Sequence, residues 1–350
     1  MKNNEPAVRW PAEWEPQGAV MVAWPHPGTD WAYMLADIEE CYVRMVEAIA
    51  RHAAVIVVAP DTSRARQMLS GVPGDILYFD TPTNDTWTRD YGPIVTRDAD
   101  EKPVITDFGF NAWGGKFEAA ADNGVTARMV AAGLLRGKYS DENAFILEGG
   151  SIESDGRGTV MTTPDCLLTP TRNPGMDRAD IERKLASTLG ARHILWVEGG
   201  GIVGDDTDGH IDTLARLCPD DTIMFVGHPT SGRDTDPQQA EMLDNLRSSV
   251  MNLRTPEGMP YNLLELPLPD PIYDEDGERL PATYANYLVI NDAVLLPSYG
   301  QPQNDLLAER IVRVAYPHHI IERVDSRPLI CQHGSLHCAT MQLPKDVLPI

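Results

Sequence analysis

No stretch of this 350-residue chain approaches the roughly 18 uninterrupted apolar residues of a membrane-spanning helix, and its opening, "MKNNEPAVRWPAEWEPQ", holds no apolar export core. A cytoplasmic protein with no membrane role is expected. Basic residues are scarce: 29 Lys and Arg stand against 52 Asp and Glu, a formal charge of −23. Such a field repels nucleic acid and anionic lipid and draws in small cations. Cysteine is scarce too, five residues in no regular framework, which argues for free thiols rather than disulfides. C-x-x-C and H-E-x-x-H are both missing. So is any linker rich in Pro, Gly or Ser, and a single domain over 1–350 is expected.

What is present alternates from end to end. Strand-like apolar runs occupy 19–25, 54–60, 75–79, 103–110, 193–197, 222–226 and 287–297. Between them fall helical windows at 31–49, 62–70, 124–136, 177–189, 237–252 and 304–315. In the first window Trp31, Met34, Leu35, Ile38, Cys41, Tyr42, Met45 and Ile49 step by three and four, one face of an amphipathic helix. Asp177 and Asp180 open the fourth as acidic first-turn residues. This alternation predicts an α/β fold. Units recur about every 60 to 70 residues without any repeated string. The Pro- and acid-rich stretch 254–282 reads as a long loop with short strands.

Ionisable and aromatic residues beside glycine or proline breaks gather in "NDTWTRDYGP" (84–93), "FGFNAWGG" (108–115), "FILEGGSIESDG" (145–156), "GDDTDGHIDTLAR" (204–216) and "HGSLHCAT" (333–340). In the last, His333, His337 and Cys338 are able zinc ligands, with His210 and Asp212 as further donors. Adjacent residues on a strand point to opposite faces, so His337 and Cys338 argue against a shared ion, and no metal is expected. Cys41, Cys166 and Cys218 read as buried small hydrophobes. Cys338 differs, having histidines close by and a Gly334–Ser335 loop upstream, and reads as a nucleophile. "GHID" offers its partner: on a strand His210 and Asp212 face one way, an acid/base beside a carboxylate, although a solvated histidine in a polar loop fits the spacing equally. Asp90 in "WTRDYGP" and Glu148 in "LEGGS" are further candidates, and Glu198 in "VEGGG" repeats the second pattern.

Taken in order, "WTRDYGP", "FNAWGG", "LEGGSIESDG", "DDTDGHID" and "GSLHCATMQLP" resemble the motifs of the agmatine deiminases and bacterial-type peptidyl-arginine deiminases of the guanidino-group-modifying superfamily. "PAEWEPQGAVMVAWP" resembles that family's opening, so the likeness covers essentially the whole chain. It implies a fivefold pseudosymmetric α/β propeller, pentein-like, with its site in a central channel. It places the nucleophile at Cys338, the acid/base at His210, its supporting carboxylate at Glu148 rather than Glu198, and Asp90 and Asp212 on the substrate. Glu153 stands where many agmatine deiminases have histidine, which marks a divergent branch.

These residue types suit the implied reaction. Two carboxylates can grip a planar guanidinium, Cys338 can attack its central carbon, and His210 can protonate the leaving nitrogen and later activate water. No cofactor is required, the expected partner is a small cationic guanidino substrate, and a homo-oligomer stays open. Agmatine, with a second positive charge and no carboxylate, suits a channel flanked by Asp85, Asp205, Asp206 and Asp208. Asp206 is expected to face the substrate, with Trp87 and Trp113 as walls for its aliphatic linker. Peptidyl-arginine or free arginine, giving citrulline, is the alternative. The product would feed putrescine synthesis or nitrogen scavenging.

Overall fold

The apolar runs and helical windows, apart from 62–70 and 75–79, belong to one repeating unit. In the computed structural model, which describes residues 8–349, an antiparallel hairpin is followed by a helix that returns the chain to a third strand, parallel to the second. The part of the opening segment before residue 8 lies outside the described residues. Ile94–Asp98 pairs with Pro103–Gly109, and Lys138–Ile146 returns parallel after the helix Val125–Ala131. Ile152–Ser154 pairs with Thr159–Thr162, and His193–Trp196 returns after Arg178–Leu189. Ala215–Cys218 pairs with Thr222–Gly227, and Asn262–Pro267 returns after Pro237–Asn252. Leu288–Ile290 pairs with Ala293–Ser298, and Ile320–Asp325 returns after Pro302–Ala315.

The fifth unit joins the two ends of the chain. Met341–Pro344 runs antiparallel to Gln17–Ala23, and Ala54–Ala59 returns after Leu35–Ala50, with Ile76–Asp80 added parallel beyond it. Five sheets of three or four strands result, and the fold is the α/β propeller of the pentein kind. Strands buried on both faces read as near-continuous apolar runs, which is why "AVMVA" and "VIVVA" were plain in the sequence.

Local chemistry sets the element ends. Asp177 and Asp180 form a reciprocal capping box on Arg178–Leu189, and Gly190 closes that helix in the left-handed region at φ 71°. The window 31–49 begins as a tighter turn, Asp30–Met34, before the α-helix proper. The run 287–297 is two strands, because Asn291 at φ 49° turns the chain. The stretch 254–282 is largely loop with a short strand, as its composition suggested, and that strand, Asn262–Pro267, is the returning strand of its unit.

Candidate active site

Each unit is entered through a short turn placed just before its first strand. These are Thr88–Tyr91, Gly149–Ser151, Ile211–Thr213 and the turns at 284–285 and 336–339. The first three pack side by side, so residues scattered over 250 positions meet at the centre. Asp90 lies in the first turn, Glu148 immediately precedes the second, His210 immediately precedes the third with Asp212 inside it, and Cys338 lies in the last. His210 and Asp212 are therefore not on a strand, as the spacing suggested. The turn brings them together instead.

The packing leaves no room for a side chain at Gly150. A Cβ there would stand 2.6 Å from His210 Nδ1, 2.9 Å from Asp90 Oδ1 and 3.2 Å from Asp212 Oδ2. His210 is sandwiched, with Nδ1 3.7 Å from Asp90 Oδ1 and Nε2 3.8 Å from Glu148 Oε2. Among the described residues neither ring nitrogen has a hydrogen-bond partner. Burial works against a charged His210, yet Asp90, Cys166 and Glu148 outweigh it and hold the imidazolium well above its usual range. Glu148 is anchored on its other oxygen, where Arg172 Nε donates to Oε1 at 3.0 Å. Burial would raise Glu148, but His210 and Arg172 bring it below the ordinary value.

Asp90 accepts from the Gly150 backbone at 2.9 Å and from Trp113 Nε1 at 2.9 Å. Burial, with Asp212 and Glu148 adding to it against His210, pushes its carboxyl up to about 6. Asp212 turns Oδ2 to His337 Nδ1 at 2.7 Å, while its buried Oδ1 has no partner. Burial opposes the charge on Asp212, and the His337 contact holds the group below the usual carboxylate range. Cys338 Sγ lies 3.9 Å from Asp212 Oδ2 and accepts from Asn286 Nδ2 at 3.2 Å. Burial first, then Asp212 and Asp90, push its thiol well above the ordinary value.

Neighbours on a strand would diverge, but His337 and Cys338 sit in a turn, and both approach the same oxygen of Asp212. They still form no zinc set: His337 Nε2 faces Glu13 Oε2 at 2.8 Å, and His333 turns Nδ1 to the Gly204 carbonyl at 2.9 Å. Behind His337, Arg216 pairs with Glu13 at 2.9 Å and with Glu153 at 2.6 Å. Glu198, the competing glutamate, is an exposed surface residue near Arg178.

A cleft of about 450 Å³, counted out to its mouth, leads down to Cys338 and Asp90. Trp87 and Trp113 form walls, and Asp30, Asp85 and Asp206 line the cleft with His333 and Phe117. The Trp87 ring fills the place a side chain at Gly334 would need, with a would-be Cβ only 2.2 Å from a ring carbon. Burial pushes Asp85 up to about 7, with Asp30 and Asp206 reinforcing it. Asp205 and Asp208 do not line this cleft. Asp205 accepts from Thr207 and Gly209, and Asp208 pairs with Arg172 and Lys116. Asn286, Arg172, Glu13 and Arg216 were missed, and His337 was noticed only as a candidate ligand. The usable signal for Asn286 was its place, a polar residue one short step before an apolar strand.

A buried thiol facing two carboxylates, beside a histidine set against a glutamate and at the hub of five units, marks the guanidine-modifying hydrolases of this fold. The Porphyromonas-type peptidyl-arginine deiminase family matches residues 9–344, and the chain belongs to that family, an enzyme family of deiminases. A solved structure from Porphyromonas gingivalis, described as "Putative Arginine Deiminase", is 44% identical and superposes with a TM-score of 0.90 over 97% of this chain and 99% of its own. The agmatine deiminase of C. jejuni, solved with substrate bound as a cysteine-to-serine variant, is 34% identical with a TM-score of 0.86 over 97% of each chain. A Vibrio parahaemolyticus protein named "Putative agmatine deiminase" is 33% identical over 96% of each chain. Among the described residues no helix is long and apolar enough to cross a membrane.

Proposed function

We propose that the protein deiminates agmatine to N-carbamoylputrescine and ammonia through a covalent intermediate on Cys338. Asp90 and the unpaired Oδ1 of Asp212 take the guanidinium nitrogens, which sets the central carbon over Cys338 Sγ. The incoming cation favours the thiolate that burial and the carboxylates disfavour, and the thiol proton passes to solvent. Sulfur attacks the carbon, His210 as imidazolium protonates one nitrogen, and ammonia leaves a thiouronium ester. His210, now neutral, takes a proton from water. The hydroxide adds to the same carbon, the thiolate departs, and the proton of the added hydroxyl passes to the sulfur, leaving the neutral ureido product and the starting thiol. Glu148, held by Arg172, keeps His210 charged for the first half of the cycle. The Asn286 amide stabilises the sulfur in its anionic form.

The observation that carries the substrate choice is the lining of the cleft. Asp30, Asp85 and Asp206 line the cleft and, among the described residues, no Lys or Arg does, so its carboxylates suit a distal ammonium better than a substrate carboxylate, for which His333 and Gln332 are the lining donors. Trp87 and Trp113 flank the path for a tetramethylene linker. Ureido product and ammonia should be measured with agmatine, free arginine and a blocked arginine peptide, using wild type and Cys338→Ser. Turnover of agmatine alone, lost in the serine variant, is the expected result. Preferred turnover of free or peptidyl arginine would replace the substrate reading, which the arginine deiminase description of the P. gingivalis structure makes the natural alternative.

A further inference from the structure

Two buried groups of ligand-capable atoms adjoin the site: Glu13, Glu153 and His337, and Glu148, Cys166 and His210. The first is already neutralised from within. Arg216 donates to Glu153 at 2.6 Å and to Glu13 at 2.9 Å, and both nitrogens of His337 face carboxylate oxygens. A guanidinium stands where a cation would. In the second group the Arg172 guanidinium holds only the far oxygen of Glu148, and the side that faces Cys166 and His210 carries no guanidinium contact among the described residues. Cys166 Sγ lies 3.7 Å from Glu148 Oε2, His210 Nε2 lies 3.8 Å from the same oxygen, and the three ligand atoms all fall within 4.8 Å of one another. Zinc bonds of about 2.0–2.3 Å in a tetrahedron put neighbouring ligand atoms about 3.3–3.7 Å apart, so a small inward adjustment completes the geometry. Both nitrogens of His210 are fully buried and, among the described residues, without a hydrogen-bond partner, an arrangement native proteins seldom leave unexplained.

We propose that Glu148 Oε2, Cys166 Sγ and His210 Nε2 form an inhibitory site for a soft divalent cation, zinc foremost. One thiolate, one imidazole and one carboxylate are a donor set that selects zinc over calcium or magnesium. Arg172 holds Glu148 by the other oxygen and leaves Oε2 free to ligate. On binding, the Cys166 thiol proton and the His210 imidazolium proton are released to solvent, and a water takes the fourth position. The metal then takes the nitrogen that faces Glu148 and leaves the ring's single proton on Nδ1, on the Asp90 side, so His210 can no longer accept a proton from water, while Cys338 stays free. This rests on His210 as the acid/base of the proposed reaction.

The test is a cobalt(II) titration of the intact protein followed by optical absorption, beside zinc inhibition of agmatine turnover. Wild type and Cys338→Ser should each bind one equivalent of cobalt with a thiolate-to-metal charge-transfer band, and Cys166→Ala should show no band. Cys166→Ser, close to cysteine in volume, should lack the band too, and urea unfolding of both variants at the wild-type midpoint excludes a folding defect as the cause. Zinc should inhibit wild type reversibly with EDTA, and inhibiting whatever turnover Cys166→Ala retains should need roughly tenfold more zinc or beyond. A band that depends on Cys338, that survives in Cys166→Ala, or that never forms in wild type would overturn the assignment. The cobalt readout does not depend on turnover, so a wrong substrate and a wrong metal site give different results.

Discussion

Replacing Asp212 by Asn should make the Cys338 thiol ionise at lower pH. The sulfur lies 3.9 Å from Asp212 Oδ2 in a buried setting, where burial and the charges of Asp212 and Asp90 all oppose the thiolate. Two unit charges at that distance and an effective dielectric near 20 interact by about 4 kcal/mol, or about three pKa units. His337, bonded to Asp212 Oδ2, and Arg216 behind it offset part of that field, so a fall of about one to two units is expected. The assay is alkylation by iodoacetamide from neutral to alkaline pH, read by peptide mass spectrometry. Half-buried Cys331 in the same chain serves as the reference. The limiting rate reports access to the sulfur, and the midpoint reports its ionisation, so burial alone cannot imitate the result. A non-reactive guanidinium analogue that leaves the sulfur accessible should move the midpoint of wild type in the same direction. An unmoved midpoint in Asp212→Asn, or a wild-type midpoint below that of Cys331 in the unliganded enzyme, would refute the electrostatic account.

Asn286→Ala removes the amide donor to sulfur and the oxygen that receives the His337 and Cys338 backbone N–H groups at 2.9 and 3.2 Å. A lost hydrogen bond to a charged group is worth about 1.5–3 kcal/mol, so steady-state kinetics should show kcat down about 10- to 100-fold with KM little changed; a KM effect alone would contradict the role. Arg172→Met strands Glu148 without its buried partner and should lower the unfolding free energy in urea by about 3–5 kcal/mol, against no change if the pair is incidental. Burial, with Asp85 adding, pushes Asp122 up to about 8, so the folded state holds a proton there that the unfolded chain releases near its ordinary value. Stability from this group is accordingly present at low pH and declines as pH rises from about 4 to 8, and Asp122→Asn should remove up to about 1.4 kcal/mol per pH unit of that slope in urea unfolding. A slope the substitution leaves unchanged would mean Asp122 is ionised throughout.

Strands covered on both faces were the most legible part of the fold. "AVMVAWP" and "AVIVVAP" are buried almost throughout and carry an uninterrupted apolar signal. Lys138–Ile146 and Ile320–Asp325 escaped because they are edge strands of half-exposed residues, where charged and polar side chains face water and dilute the period. Pairing, not composition, makes them strands. At the site, the residue types and motif order singled out Cys338, His210, Glu148, Asp90 and Asp212, and the turns bring all five together. His210 and Asp212 meet through a shared turn, not through the shared strand face that their spacing suggested. Trp87, Trp113 and Asp206 line the cleft, but the fine division among the acidic residues was not legible, since Asp206 lines the cleft while Asp205 and Asp208 bond within their loop and to its neighbours.

The architecture explains why Asn286 was overlooked and how it could have been found. Four of the five turns that precede a unit's first strand carry a residue of obvious reactivity, and a search by chemical type stops there. The remaining turn, in the stretch "TYANYLVI", offers only an amide. Pseudosymmetry makes position the better guide: Asn286 stands two residues before the strand Leu288–Ile290, as Asp90, Glu148, His210 and Cys338 stand three to five residues before the first strands of their units. Its amide does reach the sulfur of Cys338 and both backbone N–H groups around it. A carboxylate there would have added another negative charge beside a thiol that Asp212 and Asp90 already hold protonated, and an aliphatic residue would have left Sγ without a donor. A neutral residue with a hydrogen-bond donor meets both demands, so the least reactive of the five positions is the one that lets the nucleophile ionise.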